Sequence, residues 1–204
     1  MCQGVSLDTD RRAVTTNMRV IAGQFRSRPL QSLRGLEIRP TSDRLRETLF
    51  NILTAGNPEA LEGSIWVDLF AGTGAVGIEA LSRGAAMVYF AESARPSTDL
   101  IRRNLESLNV PEGFRVMQQD SEHAISQLDR EGIQAAFVFL DPPYSEQHTY
   151  GQTLEALAVS KLASTALVIA EHEKRFDPGE GFGNLLRIRK LHQGDAALSF
   201  YRHS

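Results

Sequence analysis

The sequence of 204 residues holds a single cysteine, Cys2. That excludes an internal disulfide and a cysteine-rich metal site. The five histidines are scattered and match no metal-ligand or catalytic spacing, so no metal is expected. The longest apolar run, Ala85 to Ala91, is far too short to cross a bilayer. The first residues, with Asp8 and Asp10, lack the apolar core of a signal peptide, and a reduced cytoplasmic setting is expected. There is no internal repeat and no low-complexity tract. A net charge of −3 argues against a chain coated all over with basic residues. The length suits one domain with a small appendage, and 42% hydrophobic with 23% charged residues is a globular composition. No spare apolar face is evident, which favours a monomer.

Lysine is missing from one window. Residues 11–46 carry nine arginines against Glu37 and Asp43, a balance of +7, while the rest of the chain sums to −10. Arginine forks onto phosphate and stacks on bases better than lysine does. The window reads as a small lobe that touches nucleic-acid backbone, with Arg19, Arg26, Arg28 and Arg39 as candidates. A solvated, arginine-rich surface is the plainer alternative.

The stretch that organises the chain is Trp66-Val-Asp68-Leu-Phe-Ala-Gly72-Thr-Gly74-Ala-Val-Gly77. The apolar run from Ile65 to Phe70 carries one acid and ends in close-set glycines, and an amphipathic pattern follows from Val76 to Leu81. This is the strand, tight turn and helix that open a nucleotide-binding α/β sheet. The spacing of Gly72, Gly74 and Gly77 by itself admits a dinucleotide dehydrogenase. Asp68 points elsewhere. A carboxylate suits a ligand with a cation, such as the ammonium of S-adenosylmethionine, and is a poor neighbour for pyrophosphate.

In chain order, residues 1–17 are polar and are expected to be a disordered tail. Residues 18–57 are expected to form an N-terminal extension that touches nucleic acid and covers a cofactor, and residues 58–204 the α/β sheet domain. A strand is expected to start at Met18. Thr41 or Ser42 caps a helix that ends near Leu53, with Asp43 in its first turn. Strands follow at Met87–Phe90, Phe114–Met117, Ala135–Leu140 and Ala166–Ala170, with helices at Pro96–Leu108 and Tyr150–Ser160. Asn184–Leu191 and Ala197–Tyr201 close the chain as a hairpin, approached through the flexible Gly179–Gly183 stretch. Glu92, 20 residues beyond Gly72, stands where a carboxylate accepts ribose hydroxyls. Asp120 either caps a helix or receives an adenine amino group.

The apolar strand ending at Leu140 runs into Asp141-Pro142-Pro143-Tyr144. Two prolines fix the backbone and remove two donors. The acid and the Pro142 carbonyl are then expected to face the crevice as unpaired acceptors, with Tyr144 offering a flat face. Such a set suits an exocyclic amine on a flat base.

Taken together, D-L-F-A-G-T-G at 68–74, L-D-P-P-Y at 140–144 and R-P-T-S-D-R-L-R-E-T-L-F-N at 39–51 resemble the RsmD family of bacterial 16S rRNA guanine-N2 methyltransferases. The resemblance runs from about Met18 to the C-terminus. It implies a Rossmann-like, class I S-adenosylmethionine-dependent sheet of seven strands with an N-terminal β-hairpin. It also implies a guanine of 16S rRNA as substrate, position 966, presented on the 30S subunit or its precursor. Ser42 stands where the family more often has threonine. Asp68, Gly72, Gly74, Glu92 and Asp120 become cofactor-binding candidates, with Thr41, Arg44 and Arg46 covering from the N-terminal side. Asp141, Pro142 and Tyr144 become the catalytic candidates. A DNA adenine-N6 methyltransferase is the nearest chemical alternative, but the chain has no separate target-recognition domain. A dehydrogenase leaves D-P-P-Y without a task, and a non-catalytic RNA-binding module leaves the cofactor crevice unexplained.

Overall fold

The computed structural model describes residues 14–33 and 42–204. Arg39 and Thr41 therefore lie outside the described residues. The chain opens with an antiparallel hairpin of β1 (Val14–Arg19) and β2 (Pro29–Leu33), followed by helix α1 (Asp43–Leu53). Strands β3 (Ile65–Leu69), β4 (Met87–Ala91), β5 (Phe114–Met117), β6 (Phe137–Leu140) and β7 (Leu167–Glu173) are all parallel. Helices α2 (Ala75–Ser82), α3 (Arg95–Ser107), α4 (Ser121–Arg130) and α5 (Gln147–Val159) connect them. The chain ends in β8 (Gly181–Phe182), β9 (Leu185–Gln193) and β10 (Ala196–His203).

The main sheet has the order β5-β4-β3-β6-β7-β10-β9-β8, with β10 antiparallel to β7. The parallel order reverses beside β3, because β4 follows on one side and β6 on the other. Ligands of such sheets sit at the carboxyl ends of the strands at that reversal. Strand alternation sends Trp66, Val88, Phe90, Phe137 and Phe139 to one apolar core with residues of α1, α2 and α3. Val67, Leu69, Val138 and Leu140 face the opposite core with α4 and α5. Trp66 lies between the rings of Phe50 and Phe137, with centroids 5.4 and 5.3 Å away.

Helix α1 starts where its cap chemistry places it. Ser42 Oγ accepts the N–H of Leu45 at 3.2 Å, and Asp43 occupies the first turn. Leu45, Leu49 and Phe50 are buried. Helix α2 is buried at every residue, because the N-terminal segment covers its outer side. The buried Glu79 accepts the N–H groups of Ile21 at 2.7 Å and Ala22 at 3.0 Å, and Arg83 Nε at 2.7 Å. Gly23 approaches the end of α2 so closely that a Cβ there would lie 1.8 Å from the Ser82 carbonyl oxygen.

Several boundaries differ from the sequence expectation. Strand β1 begins at Val14, not Met18, so residues 14–17 belong to the hairpin rather than to a tail. The ladder to β2, with Val14 opposite Leu33, draws them in, and a polar strand shows no periodicity to announce it. The sheet has eight strands rather than seven, because the glycine-flanked pair Gly181–Phe182 adds an edge strand to β9. Strand β7 continues past Glu171 to Glu173, where Ala196 of β10 pairs with it. Among the described residues, no helix is long and apolar enough to cross a membrane.

Candidate active site

A crevice of about 770 Å³ opens at the carboxyl ends of β3, β4, β5 and β6. Seven carboxylates line it, from Asp68, Glu92, Asp120, Glu122, Asp141, Glu146 and Glu171. Among the described residues, no lysine or arginine does. Such a crevice repels a pyrophosphate and favours a cationic ligand.

Its first half is the turn between β3 and α2. Gly72 and Gly74 hold φ of 53° and 78°, which glycine adopts without strain. Gly77 has a different task. A Cβ there would lie 2.3 Å from Phe90 Cε1 and 2.8 Å from Val88 Cγ1, so its bareness lets α2 settle on β4. The buried Asp68 accepts the Gly77 N–H at 2.9 Å through Oδ2. Burial pushes its carboxyl up to about 7, the Gly77 N–H works against that, and the charge of Glu92 adds to it. Glu92 clamps the turn from β4, accepting Gly72 N–H at 2.9 Å and Ala94 N–H at 2.8 Å. Each carboxylate oxygen can accept a second hydrogen bond, and Glu92 lines the crevice. Asp120 caps α4, accepting His123 N–H at 2.9 Å, and that bond holds its carboxyl below the usual range. The cap is thus one of the two roles expected of Asp120, and the residue lines the crevice as well.

The second half is Asp141-Pro142-Pro143-Tyr144, directly after β6. Asp141, Pro142, Pro143 and Tyr144 all line the crevice, with Asp141 and Tyr144 half-buried. The expectation of unpaired acceptors needs correction, for Asp141 already interacts with other groups of the protein. The Pro142 carbonyl is not unpaired, because the buried Tyr150 on α5 donates its hydroxyl to it at 3.2 Å. Burial first, then the charges of Asp141, Tyr144 and Glu171, push the Tyr150 hydroxyl above its ordinary value, so it stays a donor. One carbonyl lone pair remains for another donor.

The arginines divide. Arg44 is exposed and Arg46 fully buried, and neither lines the crevice. Arg46 does not cover the crevice. It bonds to the Arg19 carbonyl at 2.8 Å, the Ala75 carbonyl at 3.3 Å and Asp43 Oδ1 at 2.6 Å, locking α1 to the hairpin and to α2. Arg28 is exposed but donates to the Ser107 carbonyl at 2.7 Å, at the end of α3. Arg19 is largely exposed and lies 3.8 Å from Asp43. Arg26 is exposed. Asn104 of α3 ties this lobe to the glycine turn, exchanging hydrogen bonds with Gln31 and donating to the Thr73 carbonyl at 3.0 Å.

Two crevice residues and one supporting residue behind the crevice escaped the sequence reading. Phe70, at the end of β3, has φ of 63°, a strained conformation for a bulky side chain. Tyr150 read only as the start of a helix, and Glu171 only as the end of a strand. A tyrosine seven residues after a proline pair, or an acid closing an apolar strand, was the signal available for each.

The chain is similar to known proteins along most of its length. Residues 18–202 match the family model described as conserved hypothetical protein 95. The ribosomal RNA small subunit methyltransferase D of Escherichia coli K12 is 37% identical over 157 residues, covering 76% of this chain and 75% of that protein. Bacillus subtilis YlbH is 31% identical over 185 residues, covering 91% of this chain and 98% of its own length. The solved structure of Escherichia coli yhhF superposes with a TM-score of 0.77 at 30% identity, over 92% of this chain and 98% of that one.

Proposed function

The chain belongs to the conserved hypothetical protein 95 family, the RsmD family of methyltransferases, and from that premise we propose a specific reaction: methyl transfer to a guanine N2 amine of 16S rRNA. The names of its relatives make it an rRNA methyltransferase, and its cofactor is S-adenosylmethionine. The target is guanine 966 by family resemblance. The reaction takes place on the 30S subunit or its precursor in the cytoplasm, with the enzyme a monomer.

The observation that carries this reading is a juxtaposition. The Asp141–Tyr144 turn and the Asp68, Gly72 and Glu92 group open onto one crevice. The second group fits the cofactor. Asp68 would take its ammonium, Glu92 its ribose hydroxyls, and the bare glycine turn the close approach of its chain. Asp120 stands beside them for the adenine edge. An acidic crevice also suits a ligand with two cationic centres, which disposes of the dinucleotide alternative. Bound there, S-adenosylmethionine supplies a methyl group activated by a sulfonium.

The protein's share of the chemistry is orientation. A guanine N2 amine is a weak nucleophile because its lone pair is delocalised into the ring. Asp141 and the remaining lone pair of the Pro142 carbonyl accept its two hydrogens. That turns the nitrogen toward tetrahedral geometry and aims its lone pair at the methyl. Tyr144 stacks on the base. The base must leave its stack to reach this depth. Orientation of this kind supplies up to about 7–11 kcal/mol in favourable cases. No strong base is needed beforehand, since the amine becomes acidic only as the methyl arrives. The acidic crevice gives no hold on phosphate, so the RNA backbone falls to the arginine-bearing hairpin.

The test is transfer of labelled methyl to small subunits from cells lacking the modification, followed by nucleoside analysis. Label in N2-methylguanosine is the expected result. Absence of label on subunits and on free rRNA, with the cofactor bound, would overturn the substrate assignment.

A further inference from the structure

The register between β6 and β7 sets Val138 beside Val168, Phe139 beside Ile169 and Leu140 beside Ala170. One residue beyond that ladder come Asp141 and Glu171, and both line the crevice. Alternation along β7 fixes which way Glu171 turns. Its neighbour His172 is sent to the other face, where Nε2 meets Ser199 Oγ at 2.9 Å. Glu171 itself is only 5% exposed and lines the crevice. Adjacent strands lie about 4.8 Å apart, so two side chains at their ends can close on neighbouring atoms of one base.

We propose that Glu171 reads the substrate base, accepting the guanine N1–H while Asp141 accepts from the neighbouring N2 amine. This rests on the reading of the substrate as a guanine amine, and deepens it by naming what selects guanine. The argument is one of sign. Guanine presents two adjacent donors, N1–H and the N2 amine, to the pair of carboxylates. Adenine and cytosine also carry an exocyclic amine, but the ring nitrogen next to it is an acceptor. Opposite a carboxylate, that lone pair meets another lone pair in a buried place, and the two repel instead of bonding. Asp141 alone would accept any of the three amines, and the base choice therefore falls to Glu171.

The test uses small subunits reconstituted with either guanine or 2-aminopurine at the target position. 2-Aminopurine keeps the C2 amine and replaces N1–H with an acceptor. The wild-type chain is expected to methylate guanine at least about a hundredfold faster. Glu171→Gln, whose amide can donate to that acceptor, should lose about tenfold on guanine and narrow the ratio to within about tenfold. Glu171→Ala should narrow it too, by losing the preference alone. Binding of S-adenosylhomocysteine certifies that each variant is folded. Equal wild-type rates on the two bases would overturn the inference without reference to any variant. A folded variant that keeps the wild-type ratio, or loses both activities in equal measure, would overturn it as well. Wild-type failure on guanine itself would instead overturn the substrate assignment, which keeps the two outcomes apart.

Discussion

The hydroxyl of Tyr150, on α5, donates to the carbonyl of Pro142 at 3.2 Å, and so a core residue holds the turn that lines the crevice. Tyr150 is 1% exposed, with its ring against Phe176 at 5.1 Å. It does not line the crevice. It uses one lone pair of the Pro142 carbonyl and pins the direction of the other. Tyr150→Phe keeps the ring and removes the donor. We expect kcat to fall about tenfold, equivalent to about 1.4 kcal/mol of lost orientation, with KM and cofactor affinity little changed. Equal losses in KM and cofactor affinity would mark Tyr150 as a general packing residue.

Asp68 predicts a pH dependence. Its folded value near 7 lies above the ordinary 3.8. The folded apoprotein therefore holds a proton that the unfolded chain has lost, and the contribution of Asp68 to stability declines as pH rises between those values. An ammonium ligand reverses the preference, because it favours the carboxylate. Calorimetric affinity for S-adenosylhomocysteine should then fall as pH drops below about 7, by at most about tenfold per pH unit. Asp68→Asn should bind more weakly, with that slope gone. A wild-type affinity that is flat from about pH 6 to about pH 8 would contradict the contact.

Gly77→Ala tests the packing of the central turn. The added methyl meets the rings and methyls of Phe90 and Val88, both fully buried. Overpacking of this kind costs about 1–3 kcal/mol, and a chain of this length should lose about 2–4 °C in Tm for each of them. An unchanged Tm would mean that α2 rides free of the sheet.

The arginine lobe separates by structure into two classes. Arg26 is exposed, whereas Arg28 spends its guanidinium on the Ser107 carbonyl. Arg26→Ala should lower the slope of log affinity for rRNA against log salt by about 0.7–0.9, the share of one phosphate. Arg28→Ala should lower Tm as well, by loosening the hairpin from α3. An unchanged salt slope for Arg26→Ala returns that residue to ordinary solvated surface.

The parts of the site that the sequence makes legible are those built from neighbours in the chain. A strand, its exit turn and the next helix are contiguous, so Asp68, the glycines, Glu92 and the Asp141–Tyr144 turn could be placed by spacing alone. The rest depends on contacts between distant segments. Tyr150 reaches Pro142 only because α5 packs with one particular phase on β6. Glu171 and Asp141 each follow the last pair of the β6–β7 ladder, Ala170 with Leu140, a register which neither strand encodes alone. Arg46 read as a residue covering the cofactor from the N-terminal side, yet it is fully buried and does not line the crevice. Its burial follows from the Ala75 and Arg19 carbonyls that close around it. Glu79 likewise depends on distant segments, accepting the N–H groups of Ile21 and Ala22, 58 and 57 residues away.

The most direct measurement is made in cells that lack the endogenous small-subunit enzyme. The chain is expressed there, and the 16S rRNA fragment that spans guanine 966 is weighed by mass spectrometry. The wild-type chain should add the mass of one methyl group to that guanine. Asp141→Ala should leave it unmodified while the purified variant still binds S-adenosylhomocysteine, and Asp141→Asn, with one acceptor oxygen kept, should restore more than the alanine. A guanine that stays unmethylated with the wild-type chain, or one fully methylated with Asp141→Ala, would contradict the account.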